Sequence, residues 1–283
     1  MKINLKTLLL IAFTVAISSA CSENSVLNEA PDELLSTNTG EKTDISTNDS
    51  TKATSNEKVL FLDDFNVNGI PDQTKWTLYP RIPGSDWSNY FSESYDQAYV
   101  KDGNLILKAE KVGSTYKTGG VWTKNLFSYT YGKLEIRAKF KTFEGGSPSL
   151  WILNTTSQPV NGEVDLVEQY DNEDIVFHTV WNNYTLNLKQ YDPVRQYRAK
   201  FIQDDYNTYT LDWTPEKLTF YVNGKVTMTY PNLHLSDEST KGQWPFNKAF
   251  NVLLTFPISS SGINDSQLPG YVMIDWVKIT QEN

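Results

Sequence analysis

The chain has 283 residues and a formal net charge of −9, from 25 basic and 34 acidic side chains. An acidic balance of this kind excludes a nucleic-acid partner, because phosphate neutralisation needs clustered Lys and Arg. One Cys and two His exclude disulfide scaffolds, zinc fingers and Cys/His metal clusters. Hydrophobic residues stand at 39% while aromatics reach 13%. That pairing predicts an aromatic-rich packed domain joined to a segment that does not pack.

Lys2 and Lys6 precede an apolar run from Leu8 to Ile17. The run is too short to span about 30 Å of hydrocarbon as a helix, and residues 1–20 read as a signal peptide. Ser18-Ser19-Ala20-Cys21 resembles a bacterial lipobox. The resemblance implies lipidation of Cys21 and a protein anchored at the outer membrane or cell surface, touching the membrane through its lipid alone. An ordinary secretory signal with a chance cysteine is the alternative. Residues 21–58 are rich in Ser, Thr, Asn, Asp, Glu and Lys and contain no aromatic. Such a segment cannot offset its ordering entropy by burial and reads as a disordered tether.

The folded part is expected over 59–283. Lys133 to Lys141 alternates polar and apolar residues with period two. Asp102-Gly103 leads into a strand from Asn104 to Lys108, and Asn223-Gly224 sits between two β-rich runs as a hairpin turn. Ala249–Phe256 and Tyr271–Thr280 are further strands. No long 3.6-residue pattern and no βαβ rhythm appears. The predicted class is all-β, two antiparallel sheets packed face to face.

One stretch carries chemistry: Glu163-Val164-Asp165-Leu166-Val167-Glu168. Glu163 and Asp165 share a strand face, whereas Glu168 falls on the other unless one residue bulges. The Leu166-Val167 doublet breaks the apolar alternation at that point. A bulge there predicts three carboxyls on one face, with Val164 and one of the doublet buried behind. Neighbouring carboxyls push their pKa values apart, which suits a nucleophile and an acid in glycoside cleavage. Three solvated acids on an exposed face are the plain alternative.

Gly162-Glu163-Val164-Asp165-Leu166-Val167-Glu168 resembles the signature of glycoside hydrolase family 16, the laminarinase-like enzymes. Tyr131 to Ala138, Leu150-Trp151-Ile152-Leu153, Tyr206 to Gly224, Trp244-Pro245-Phe246 and Ile274-Asp275-Trp276-Val277 resemble its other segments in the same order. The resemblance implies a curved β-sandwich jelly roll, a retaining endo-acting mechanism and the bulged E-x-D-x-x-E branch. It implies Glu163 as nucleophile, Glu168 as acid/base and Asp165 as their helper, with no catalytic cofactor. It also implies a structural calcium on the convex side, with Asp64, Gly103 and Asp275 as matching positions. Trp87, Asn89, Trp122, Trp151, Tyr170, His178, Trp181 and Trp244 are candidates for substrate contact, and Trp213 and Trp276 for the core. The expected partner is a polysaccharide or glycoprotein glycan, met by a monomer.

Three departures bear on substrate. Ser147-Pro148 stands where laminarinase-like members commonly have Trp-Pro. Trp181 stands where they have His, and Ile258 to Gly262 where they carry Gly-Gly-x-Trp. Fewer flat aromatic walls leave room for the axial hydroxyl of galactose. The expectation leans to an endo-β-galactosidase on poly-N-acetyllactosamine, mucin O-glycan or keratan chains, against an endo-β-1,3(4)-glucanase. A transglycosylase and a non-catalytic carbohydrate-binding lipoprotein are the other readings.

Overall fold

The computed structural model describes residues 57–156, 160–259 and 261–282. The signal segment 1–20, Cys21 and the tether up to residue 56 lie outside the described residues. The strands in chain order are β1 (Glu57–Asp63), β2 (Thr77–Leu78), β3 (Ala98–Lys101), β4 (Asn104–Val112), β5 (Thr115–Thr118), β6 (Gly120–Trp122), β7 (Gly132–Lys141) and β8 (Ser149–Leu153). They continue with β9 (Glu163–Gln169), β10 (Ile175–Trp181), β11 (Gln196–Lys200), β12 (Asn207–Trp213), β13 (Lys217–Val222), β14 (Lys225–Pro231), β15 (Asn251–Thr255) and β16 (Gly270–Glu282). Two single-turn helices, α1 (Asn183–Leu186) and α2 (Glu238–Lys241), interrupt them. β1 opens two residues before the expected start at Val59, because Glu57 and Lys58 pair with Glu282 and Gln281 of β16.

One sheet runs β14-β13-β12-β7-β16-β4-β3, with β1 on β16 and β5 on β4. The other runs β11-β10-β9-β8-β15-β6-β2. Every pairing between these strands is antiparallel. The alternation read in β7 buries Leu134, Ile136, Ala138 and Phe140. They meet Leu150, Ile152, Val164 and Val180 of the second sheet in one large apolar cluster. Trp213 lies fully inside it, with Nε1–H on the Phe246 carbonyl at 3.0 Å. The Asn223-Gly224 hairpin forms as read, both residues at positive φ.

Trp276 departs from its core expectation. The register of β16 against β7 skips Asp275, so Asp275 and Trp276 both turn outward. Trp276 is half-buried, with the Lys278 ammonium 5.8 Å from its ring. A bulge flips the parity that a strand pattern assumes.

The entry to β9 is tightly built. Gly162 has φ +105°, and a Cβ there would lie 2.6 Å from Phe250 Cζ and 3.1 Å from Phe246 Cε1. Gly162→Ala adds backbone strain and overpacking, together about 2–3 kcal/mol. The expected drop in melting temperature is about 5–10 °C, read by calorimetry. An unchanged melting temperature would contradict this packing.

Candidate active site

β9 lies between β8 and β10. Against β8, Leu150 faces Val167 and Trp151 faces Asp165, which leaves Leu166 without a partner. Against β10, Phe177 faces Glu168 and Thr179 faces Asp165, so Leu166 and Val167 together oppose His178. This is the bulge that the acid spacing asked for. Three cross-strand rows then share the sheet face away from the main core. Glu163 sits between Leu153 and Trp181, Asp165 between Trp151 and Thr179, and Glu168 between Ser149 and Phe177. Val164, Leu166 and Val167 all enter the core, so both members of the doublet are buried instead of one.

Each carboxyl except Glu163 has named hydrogen-bond partners. Tyr170 Oη donates to Glu168 Oε1 at 2.9 Å, and Thr179 Oγ1 to Glu168 Oε2 at 3.0 Å. Gln196 Nε2 donates to Thr179 Oγ1 at 3.2 Å, which aims that hydroxyl at the carboxylate. Trp181 Nε1–H donates to Asp165 Oδ2 at 3.0 Å.

Burial raises all three carboxyls above their ordinary range. Glu163 is raised by burial first and by the charge of Glu168 second. Asp165 is raised by burial and then by both glutamates, against the Trp181 hydrogen bond. Glu168 is raised by burial, but Tyr170, Thr179 and Asp165 hydrogen bonds and the charge of Arg195 oppose this. The site therefore holds protons that three isolated carboxyls would release.

The aromatic candidates divide. Trp151 lies on the acid face in a second apolar cluster with Tyr79, Phe91, Leu153 and Leu253, against which Trp122 packs. Its Nε1–H bonds Thr255 Oγ1 at 3.0 Å. Trp87 covers Trp151 edge-on at 6.0 Å and is 41% exposed, so it presents the accessible indole of the cluster. Tyr170 and Trp181 sit directly on the acids. Asn89 is half-buried within the loop that carries Trp87, where its Oδ1 accepts from Gly84 N at 3.1 Å.

Two candidates are corrected. Trp244 is not on the acid face; it is buried in the main core, stacked 6.4 Å from Tyr230 and edge-on to Phe246 at 5.1 Å. His178 is also on the core side, because Phe177, Thr179 and Trp181 take the acid face of β10. It is fully buried, with Nδ1 2.7 Å from the Leu166 carbonyl and Nε2 2.9 Å from Thr227 Oγ1. Burial lowers its pKa to about 4, so the ring is neutral.

The cation positions are scattered in role. Asp64 is exposed beyond β1, Gly103 forms the β3–β4 turn, and the Asp275 carboxylate is engaged by Arg137. That ion pair engages one carboxylate oxygen, Oδ2. Sequence reasoning missed Thr179, Gln196 and Arg195. Thr179 was within reach, since it is two residues from Trp181 on one strand; Arg195 gave no local signal.

Residues 85–278 match the family model described as Glycosyl hydrolases family 16. The chain belongs to this family. It is 31% identical over 95% of its length to a keratan-sulfate endo-1,4-beta-galactosidase of Sphingobacterium multivorum, and spans 65% of that relative's length. It is 27% identical to a beta-glucanase of Rhodothermus marinus, over 78% of this chain and 84% of the other. Among solved structures, one described with endo-acting O-glycanases of the human gut microbiota that initiate mucin breakdown superposes with a TM-score of 0.72. It is 31% identical and covers 80% of this chain and 100% of its own.

The raised carboxyls have a sign in stability. A folded pKa above the unfolded value favours folding at low pH, and that contribution is lost as pH rises through the folded pKa. Glu163→Gln is therefore expected to raise the melting temperature by about 3–6 °C at pH 8 and to change little near pH 4. His178 works oppositely, since its folded pKa is depressed. Its contribution is present above about pH 6.5 and is lost as pH falls toward about 4. Thermal melts of both proteins across this range check the carboxyl; a lower melting temperature for Glu163→Gln at pH 8 would contradict it.

Proposed function

We propose that the chain is a retaining, endo-acting glycoside hydrolase in which Glu163 is the nucleophile, Glu168 the acid/base and Asp165 their proton-holding partner. One observation carries the reading: three half-buried or buried carboxyls of raised pKa share one face, and one of them is bonded through both oxygens. Ionised Glu163 attacks the anomeric carbon. Protonated Glu168 gives its proton to the leaving oxygen as the glycosidic bond breaks, and a glycosyl ester forms on Glu163. The carboxylate left on Glu168 is stabilised by Tyr170, Thr179 and the proton on Asp165. Glu168 then takes a proton from water, whose oxygen attacks the same carbon and frees Glu163. Burial raises Glu163 and Glu168 alike, and the coupled carboxyls share their protons; the form that reacts is the one with the proton on Glu168 and Glu163 ionised. A purely sugar-binding module gains nothing from three desolvated acids that disfavour folding when charged.

The substrate reading rests on the edge of the acid face. Ser147 N donates to the Pro257 carbonyl at 3.0 Å, Gly146 bridges Ile258, and Ser259 N donates to the Gly145 carbonyl at 2.8 Å. Two of the three departures from the laminarinase-like pattern are therefore neighbours beside Ser149 and Glu168. No aromatic residue stands at Ser147, Ile258 or Ser259, so no flat wall there opposes an axial hydroxyl. We read the substrate as internal β-galactosidic linkages of poly-N-acetyllactosamine-type chains in mucin O-glycans or keratan. The accessible indole of Trp87 favours the alternative, β-1,3(4)-glucan, because equatorial sugars stack flat on it.

Glu163→Gln and Glu168→Gln are each expected to lower kcat by about 10³-fold or more. Glu168→Ala keeps its first step on a substrate with a dinitrophenyl leaving group, which needs no proton; Glu163→Ala does not. Products from keratan, mucin O-glycans, mixed-linkage glucan and laminarin, resolved by chain length, decide the substrate. Oligosaccharides from laminarin alone would reject the galactoside reading, and monosaccharides alone would reject endo cutting.

The lipid anchor on Cys21 belongs to the same proposal, since a surface enzyme meets polymers too large to import. Incorporation of labelled fatty acid in a bacterial host, lost in Cys21→Ala, is the expected result. Equal labelling of both proteins would reject it.

A further inference from the structure

Arg195 lies just before β11, at the edge of the acid-bearing sheet. Its carbonyl accepts from Val180 N at 2.8 Å, which ties this segment to β10. Its guanidinium carbon lies 4.2 Å from the Trp181 ring centroid and 5.2 Å from that of Tyr191. The side chain thus contacts two aromatic rings, one at the acids and one that is 51% exposed. Nη1 is shielded from solvent and has no hydrogen-bond partner among the described residues. An ordinary surface cation–π contact leaves the guanidinium hydrated. Here a donor is desolvated and unpaired, an arrangement with an energetic cost. Lys would carry the charge without the plane, and Met the apolar bulk without the charge. The indole under this guanidinium uses its far edge for Asp165, at 3.0 Å.

We propose that Arg195 is a positioning residue: held against Tyr191 and Trp181, its guanidinium locks the indole so that Nε1–H stays on Asp165, and so fixes that carboxyl beside Glu168. The proposal rests on the assignment of the acids given above, and it adds a mechanism that lies in a loop 27 positions further along the chain than Glu168. Arg195 touches no reacting atom; its charge also reaches Glu168, and its positioning role acts through Trp181. Its plane restrains the ring from one side while the sheet restrains it from below. Without it, Trp181 samples other rotamers and Asp165 loses the donor that holds its carboxyl in place.

The test uses the full chain and two readouts. In the first, the Trp181 indole N–H is followed by hydrogen exchange in NMR spectra, the signal being assigned by its loss in Trp181→Phe. Arg195→Met is expected to speed that exchange about tenfold or more. Equal exchange in both proteins overturns the proposal, whatever the activity. In the second readout, Arg195→Met is expected to lower kcat about 10- to 100-fold with KM within about twofold. Arg195→Lys is expected to recover little of it, because charge alone cannot stack. In a Trp181→Phe background Arg195→Met is expected to cost clearly less than it does alone, since the bond it protects is already gone and only its charge near Glu168 is lost. A rise in KM with kcat unchanged would make Arg195 a direct sugar contact and overturn the proposal, as would additive losses. If Arg195→Met fails to fold, Tyr191→Leu loosens the same clamp from its exposed side and is expected to speed indole exchange and lower kcat severalfold. A wild-type protein without glycosidase activity would reject the catalytic assignment and leave the exchange experiment decisive for the clamp.

Discussion

The acid face depends on one unpaired residue. A strand has period two, so Glu163 and Asp165 agree in direction and Glu168 does not. Leu166 is extra against β8, and Leu166 with Val167 opposes the single His178 of β10; that one added residue restores Glu168 to the face. The bulge frees a carbonyl in the core, which must find a donor. His178, opposite the bulge, supplies it at 2.7 Å. A carbonyl only accepts, so Nδ1 carries the proton and Nε2 is left to accept from Thr227 Oγ1. Thr227 is on β14 and the ring packs on Phe220 of β13, both in the opposite sheet. The histidine therefore pins the bulge across the sandwich, and its low pKa keeps it neutral while it does so.

The seven-stranded sheet is apolar on both sides near the acids. Behind it lies the main core; in front, the smaller cluster of Tyr79, Phe91, Trp151, Leu153 and Leu253. Desolvation is accordingly the first cause of the raised pKa of all three carboxyls. What separates them is hydrogen bonding and the charge of their neighbours. Glu168 receives donors on both oxygens, Asp165 receives one, and Glu163 has none of these. The burial is shared; Tyr170, Thr179 and the Arg195 charge lower Glu168, Trp181 lowers Asp165, and neighbouring carboxylates raise Asp165 and Glu163.

The fold was legible because its signals are local. Period two in β7 and the Asn223-Gly224 turn need no distant information, and both formed as read. The bulge was legible too, since the E-x-D-x-x-E spacing and the Leu166-Val167 doublet break parity at the same place. Its consequence for the neighbour was not. His178 is close to the acids along the chain, yet the alternation of β10 sends it inward. Trp244 was misplaced for a related reason: a Trp in a loop carries no parity, and only packing against Tyr230 and Phe246 places it. Arg195 was out of reach because its meaning lies wholly in tertiary contacts with Trp181 and Tyr191.

The position of β9 within its sheet also constrains what the site can act on. Two strands, β10 and β11, lie on one side of it, and four, β8, β15, β6 and β2, on the other. At about 4.8 Å per strand the sheet extends roughly 10 Å one way and 19 Å the other. The longer side carries Trp151, Trp122 and the exposed Trp87, and the shorter side carries Trp181 with Arg195 on it. Neither side ends at the acids. A glycan lying across the strands would have contacts before and beyond the bond that is cut, and more of them over the aromatic cluster. An enzyme that counts from a chain end needs a wall at the acids, and the strand order, with the carboxyls in a middle strand, builds none within this sheet; that layout is what the proposed endo cutting asks for.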